Sequence, residues 1–428
     1  MHRTSYRLGH DDNSKSAVFG LFYSEIIFNM AAWENDEEIM RFREYLKIPS
    51  VQPDVDYSAC VEFLTAQARL MNLPVMVYEI VPKKPVVVVT LQGLQPDLPS
   101  ILLNSHMDVV PVNEELWTYP PFEAKLTDDG FIYARGSQDM KSTGMIYLEA
   151  ISRFNKSGKR LKRTTHVSFV PDEEIGSTYG MKAFSESQEF KNLNVGFGMD
   201  ESAPSPEPDE LIVFNGERTS RQVKVTCKGE PGHGALLDID NAGEKFYTIL
   251  SKFMSLRAEE KRKTLPPINT FIGDVTTINL TQVEGGVMVN VLPEVLSATF
   301  DVRIAPDVDL DEFGNMIEAW CKEAGEGVTF EYLVKNPQVY STKTDGSVPF
   351  WNSLVEVIEK MGLKLKCVTC PGATDARFVR LHNIPVINFT PILNTPLYVH
   401  AHNERVHADM YKKGIDIMEK VLEALANV

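Results

Sequence analysis

The sequence predicts an α/β fold in which a larger sheet unit is interrupted by a small ferredoxin-like one, and three observations carry that prediction. The chain has 428 residues, past the roughly 250–300 residues at which one hydrophobic core stops growing, so two cores are expected. Strand-sized apolar runs alternate with stretches of helical spacing through the first half, the pattern of a sheet with helices on its faces. From about Asn215 the order becomes β-α-β-β-α-β, the split βαβ order, over about 120 residues, which suits one small domain. After Pro337 the earlier alternation resumes. Residues 33–214 and 339–428 are therefore assigned to the larger unit, 215–338 to the insert, and 1–32 to an N-terminal extension expected to be poorly ordered.

The elements follow in order. Ile39, Phe42 and Leu46 recur at helical spacing after an Asn/Asp start, giving a helix over Asn35 to Lys47, and Tyr57 to Met71 reads as a second. Strands are expected at Pro74–Ile80, Pro85–Leu91 and Ser100–Ser105, then a helix from Met140 to Phe154 and a strand at Thr164–Val170. In the insert, Gln222-Val-Lys-Val-Thr-Cys alternates as a half-buried strand and Asn241 to Leu256 is helical. Thr276–Val283 and Glu294–Ile304 are strands separated by Gly285-Gly286 and their neighbours, and the helix Leu310–Glu323 and the strand Val328–Val334 complete the unit. Trp320 shares helical spacing with Phe313 and Ile317 and is expected in the core. The helix Phe350–Met361 and the apolar stretch Ile384–Phe389 return to the larger unit.

Composition removes several function classes. With 43 Lys+Arg against 59 Asp+Glu the formal charge is −16, the wrong sign for a nucleic-acid or anionic-membrane surface. Hydrophobic residues at 43% and charged residues at 24% are ordinary for a globular chain and argue against disorder. No run approaches the roughly 20 apolar residues of a spanning helix. Arg3, Arg7 and Lys15 before Ala17-Val-Phe-Gly-Leu-Phe imitate a signal peptide, but Glu25 interrupts the apolar stretch, so a cytosolic, soluble protein is expected. Five Cys are too few, and odd in number, for a disulfide framework, and Cys367-Val-Thr-Cys370 lacks the second pair of a zinc site, so two reduced thiols are expected.

Acidic residues and histidines gather where strand-like segments run out. His106-Met-Asp108 follows Ile101-Leu-Leu-Asn-Ser, and a carboxylate beside a metal-binding His can fix its tautomer; alone, the triplet is more often an ordinary strand end. Asp139 follows a Gly-containing loop and precedes a helix, where it could bridge two cations, but taken alone it is read as the cap of the helix beginning near Met140. Glu173 and Glu174 follow Val167-Ser-Phe-Val and could divide labour, one on a metal and one taking a proton. Asp200-Glu201 ends Val195-Gly-Phe-Gly-Met, and His400-Ala-His402 offers a further imidazole. Mixed His and carboxylate ligands without Cys suit catalytic zinc, or Mn and Co, better than structural zinc.

The chain resembles the co-catalytic zinc aminoacylases and carboxypeptidases from about Glu34 onward. The resemblance is carried by Asn104-Ser-His-Met-Asp-Val-Val-Pro-Val, Ala134-Arg-Gly-Ser-Gln-Asp-Met-Lys, Val170-Pro-Asp-Glu-Glu-Ile-Gly, Pro231-Gly-His-Gly, Leu280-Thr-Gln-Val-Glu-Gly-Gly-Val, Phe300-Asp-Val-Arg-Ile-Ala-Pro-Asp-Val-Asp and Ala373-Thr-Asp-Ala-Arg. It implies a zinc-exopeptidase-like catalytic domain, an inserted ferredoxin-like dimerisation and lid domain, and a homodimer. It further implies two Zn2+ per subunit, replaceable by Mn2+ or Co2+. His106 and Glu201 then hold one, with Asp200 the runner-up; Glu174 and His402 hold the other; Asp139 bridges. Glu173 is the expected general base and acid, Asp108 steers His106, and His233 reaches the partner's site to hydrogen-bond the oxyanion. Arg377 is the expected clamp for a substrate carboxylate, and Asn290 a further substrate contact. The implied reaction is hydrolysis of an N-acyl-L-amino acid, chiefly N-acetyl, to a carboxylate and a free amino acid. A dipeptidase or carboxypeptidase with the same metals is the alternative, and a catalytically silent binding protein ranks below it because the ligand set is complete.

Overall fold

The computed structural model describes residues 31–237 and 240–428. The expectation of a poorly ordered extension falls, over residues 1–30, outside the described residues. In chain order the strands of the two main sheets are β1 (Val75–Val81), β2 (Lys84–Leu91), β3 (Ser100–His106), β4 (Thr165–Val170), β5 (Val195–Asp200), β6 (Glu210–Glu217), β7 (Thr219–Lys228), β8 (Thr277–Gly285), β9 (Val295–Ile304), β10 (Val328–Lys335), β11 (Lys364–Cys370) and β12 (Val386–Phe389). The longer helices are α1 (Glu37–Leu46), α2 (Ser58–Leu70), α3 (Lys141–Ser157), α4 (Ala242–Lys263), α5 (Leu310–Ala324), α6 (Pro349–Lys360) and α7 (Ala408–Ala426).

The larger sheet runs β1-β2-β4-β3-β5-β12-β6-β11. It is mixed: β4, β3, β5 and β12 are mutually parallel neighbours, whereas β1-β2, β2-β4 and β12-β6 pair antiparallel. Burial explains why β2 reads as an unbroken valine run. Val87 and Val89 join the core beneath α1, α3 and α7, while Val86 and Val88 join a second cluster with Met181 and Phe184 on the opposite face. Side chains alternate across a strand, so a strand covered on both faces must be apolar at every position. Each fully buried valine contributes roughly 1.5–3 kcal/mol, more than the ~1 kcal/mol span of β propensity, so burial is the term that makes this segment a strand.

The chain passes from β6 to β7 with Arg218 alone between them. The smaller sheet is ordered β8-β9-β7-β10, and with α4 and α5 it has the β-α-β-β-α-β order expected from the sequence. In α5, Asp309 caps the start by accepting from Asp311 N and Glu312 N. The side chains of Leu310, Phe313, Ile317 and Cys321 then form one buried stripe against Val223, Val225, Phe300 and Val302. Trp320 packs edge-on to Phe253 with ring centroids 5.1 Å apart, in keeping with its expected core position. The chain then supplies α6 and β11, and β11 pairs parallel with β6, so the larger sheet draws strands from both sides of the smaller one.

Two expectations change. The helix expected to end at Leu256 runs on to Lys263; its last turns, Arg257-Ala-Glu-Glu-Lys-Arg-Lys, have no apolar stripe to show periodicity, and Lys261, Arg262 and Lys263 complement the negative end of the helix dipole. Asp139 does not cap α3, whose first residue follows Met140 with no side-chain cap bond. Cys367 and Cys370 are free thiols on β11.

Candidate metal centre

Three neighbouring strands place the centre. β4 and β5 both run parallel to β3, so their carboxyl ends share one edge of the sheet, where ligands of α/β folds gather. His106 is the last residue of β3, Glu173 and Glu174 follow β4, and Glu201 follows Asp200 at the end of β5. Asp139 arrives on the turn that precedes α3, where Gly136 has φ +88. His400 comes from the loop that follows β12.

Asp139 stands between two histidines. Its Oδ1 is 3.0 Å from His106 Nε2 and its Oδ2 is 3.0 Å from His400 Nε2. Glu201 Oε2 is 3.6 Å from His106 Nε2, and Glu174 Oε2 is 3.2 Å from His400 Nε2. Possible ligand atoms of His106, Glu173 and Glu201, and of His106, Asp139 and Glu174, form two groups within 4.8 Å. Glu174 Oε1 is buried and has no hydrogen-bond partner among the described residues. An oxygen and nitrogen donor set with an orphaned carboxylate oxygen fits divalent cations, zinc included.

The sequence expectation is corrected here: His400, and not His402 as expected, faces Asp139 and Glu174. His400 has φ 60, a left-handed turn that redirects the chain between the two histidines. Asp200, the runner-up to Glu201, instead accepts from Asn104 Nδ2 at 3.2 Å and from Glu201 N at 2.9 Å. Asp108 also differs from its expected part. His106 Nδ1 is 2.9 Å from the Asp108 backbone oxygen but 3.6 Å from its carboxylate. That carboxylate accepts from Glu173 N and Glu174 N, each at 3.1 Å, and from Gln52 Nε2 at 2.8 Å. It therefore holds the paired acids in place more directly than it holds the imidazole.

The centre opens into a cleft of about 550 Å³, lined among others by Glu173, Phe214, Arg303, Thr374, Arg377 and His400. Arg377 is buried, with Nη1 donating to Thr374 O at 2.6 Å and Nη2 to Gly176 O at 3.2 Å. Arg303, on β9 of the smaller sheet, is a second cation on the cleft that sequence reading missed; it sits inside a quoted family motif but reads as an ordinary strand residue. His233 and Asn290 are brought together, since Gly232–His233 pairs with Val291–Leu292 and Gly234 N donates to Asn290 O at 2.9 Å. Both are exposed and neither lines the cleft of its own chain.

Burial and mutual repulsion dominate the electrostatics. Burial, then the Glu201 charge, raises Glu173 well above the usual carboxylate range, and burial with Asp139 raises Glu174. Burial, then the Asp375 charge, pushes Asp200 up to about 7. His400 is raised to about 10 by hydrogen bonds to Asp139 and Glu174. Asp139 goes the other way: burial acts to raise it, but its hydrogen bonds with His106 and His400 hold it well below the usual carboxylate range, and cations would offset the repulsion among the acids around it.

Residues 102–424 match peptidase family M20/M25/M40, and the chain belongs to that family. Within it, the chain is 45% identical to aminoacylase-1 of Mus musculus over 387 residues, 90% of this chain and 95% of that protein. It is 43% identical to aminoacylase-1 of Homo sapiens over 397 residues, 92% and 97% of the two chains. A family M20 metallo-carboxypeptidase from Sulfolobus solfataricus has the same fold, with TM-score 0.69 at 19% identity over 91% of this chain and 99% of that one. A dinuclear metal binding peptidase of Bacillus subtilis superposes with TM-score 0.65 at 16% identity, over 92% and 98% of the two chains.

Proposed function

We propose that the protein is a metal-dependent amidohydrolase that cleaves N-acyl-L-amino acids, chiefly N-acetyl ones, to a carboxylate and a free amino acid. The observation that carries this reading is Asp139 set between His106 and His400 at 3.0 Å from each, with Glu173 on the same cleft. The aminoacylase-1 relatives supply the substrate class. Two cations, taken to be zinc with Mn2+ or Co2+ as substitutes, would be held by His106 and Glu201 on one side, Glu174 and His400 on the other, and Asp139 between. Bound there, they would supply a lowered water pKa and polarisation of the amide carbonyl.

The chain's own residues do the rest. Glu173, on the wall of the same cleft, takes the proton of the attacking water and returns it to the leaving nitrogen. Asp108 fixes the backbone of Glu173 and Glu174. Arg377 and Arg303 are the cations available for the substrate carboxylate, and Arg377, anchored by Thr374 and Gly176, is pre-positioned on the wall. His233, with Asn290 beside it, serves the cleft of a second subunit and hydrogen-bonds the oxyanion. The exposed face around them, with Val283, Leu237 and Val289 uncovered, supports a homodimer. Among the described residues no helix is long and apolar enough to cross a membrane, and the protein is proposed to work in the cytosol. Turnover of acetylated amino acids compared with unblocked dipeptides tests the reading: preference for the acetylated series is expected, and preference for dipeptides favours a peptidase.

A further inference from the structure

We propose that Gln138, together with Arg135 and Glu404, is a positioning clamp that locks the loop bearing Asp139 to the loop bearing His400 and thereby sets the affinity of one of the two cation sites. The proposal rests on the reading that Asp139 and His400 hold metal. All three clamp residues are buried, Glu404 at 0% and Arg135 at 2% exposure. Burying full charges is costly unless each is paired and hydrogen-bonded, and a buried ion pair is weak evidence for stability in itself. The geometry shows what the pair accomplishes instead.

Every acceptor position of Glu404 is turned to the opposite loop. Its Oε2 accepts from Arg135 Nη1 at 2.7 Å and Gly136 N at 3.1 Å, and its Oε1 accepts from Gln138 N at 2.6 Å and Asp139 N at 3.1 Å. The reverse contacts are made by the Asp139 loop. Gln138 Nε2 donates to Pro396 O at 3.0 Å and Arg405 O at 2.8 Å, and its Oε1 accepts from Tyr398 N at 2.8 Å. Arg135 Nη2 donates to His400 O at 3.3 Å. The segment that carries His400 is thus fastened at residues 396, 398, 400, 404 and 405 by residues adjacent to Asp139. Two loops far apart in sequence move as one body, so the separation between Asp139 and His400 is set before any cation arrives. Preorganised ligands lose less freedom on binding, and partners of this outer kind typically govern metal affinity.

The test is Gln138→Leu, which keeps the volume while deleting the three side-chain bonds, with Glu404→Gln as a second variant. Zinc affinity is measured by chelator competition, and turnover of an N-acetyl amino acid is followed as zinc is raised. The zinc held by His400 is expected to bind about 10–100-fold more weakly while the other, which shares only Asp139, changes less; turnover falls at limiting zinc and recovers in excess. Equal weakening of both zincs, or isotherms that match the unaltered chain, overturns the clamp. His400→Ala separates this from failure of the underlying reading: if it retains both zincs, the assignment of the centre is wrong, whereas loss of one zinc there with an unaffected Gln138→Leu overturns the clamp alone.

Discussion

On the proposed mechanism, turnover depends most directly on Glu173, because it alone is assigned to move the proton. Glu173→Gln keeps the shape and removes that capacity, so kcat is expected to fall by about 10²–10⁴-fold with both zincs retained by metal analysis. Near-normal turnover in that variant would remove Glu173 as the base. The two C-terminal histidines separate as sharply: His400→Ala is expected to lose one zinc per chain and His402→Ala to keep two, and the opposite pattern restores the sequence-based choice. The site residues at strand ends were legible because a strand that stops at an acid or histidine projects it at a predictable edge. His400 was not, since the left-handed backbone at that residue breaks the alternation from which a sequence reading works. Glu404 was equally invisible, because a lone acid beside an arginine in sequence reads as solvated surface, and only the fold carries it 269 positions from Arg135 into a 2.7 Å ion pair.

Elements are held to one another by a charge network as well as by the core. Arg153 on α3 bonds Glu38 on α1 at 2.9 Å and Asp416 on α7 at 2.6 Å, and Lys412 on α7 bonds Asp36 at 2.7 Å and also Glu38. Burial acts to raise the Glu38 carboxyl, but Arg153 and Lys412 outweigh it and hold it at about 2 against an ordinary 4.5. A depressed carboxyl pKa contributes stability that is complete above 4.5 and is lost as pH falls toward 2, because the unfolded chain takes up the proton first. Glu38→Gln is expected to cost about 1 kcal/mol near neutrality, since solvent screens a partly exposed network. Chemical denaturation should show the gap from the parent closing as pH is lowered, and a gap constant with pH contradicts the assignment. Such networks leave no periodic trace in the sequence, whereas the helices they join do. The apolar stripes of α1 and α5 predicted both elements, while the end of α4 escaped because it has no apolar stripe, and the small three-stranded sheet of Lys125–Leu126, Phe131–Tyr133 and Arg405–His407 escaped because segments of two or three residues carry no pattern.

On the scale of the whole molecule, the insertion of one sheet within another places Arg303 on the cleft and leaves His233 and Asn290 at an exposed tip. On the proposed arrangement, in which a partner completes the cleft, activity is a property of the dimer. Heterodimers of His233→Ala and Glu173→Gln chains should recover part of the turnover that each homodimer lacks, because one cleft then receives an intact base and an intact histidine. Verified heterodimers without recovery would exclude action across subunits. The central claim is that a two-cation centre bridged by Asp139 hydrolyses N-acyl amino acids. Titrating zinc into chelator-stripped protein while following release of free amino acid from an N-acetyl substrate tests it most directly. Activity is expected to be absent without metal and to level off at two zincs per chain, and full turnover without metal, or no turnover with two zincs bound, would contradict it.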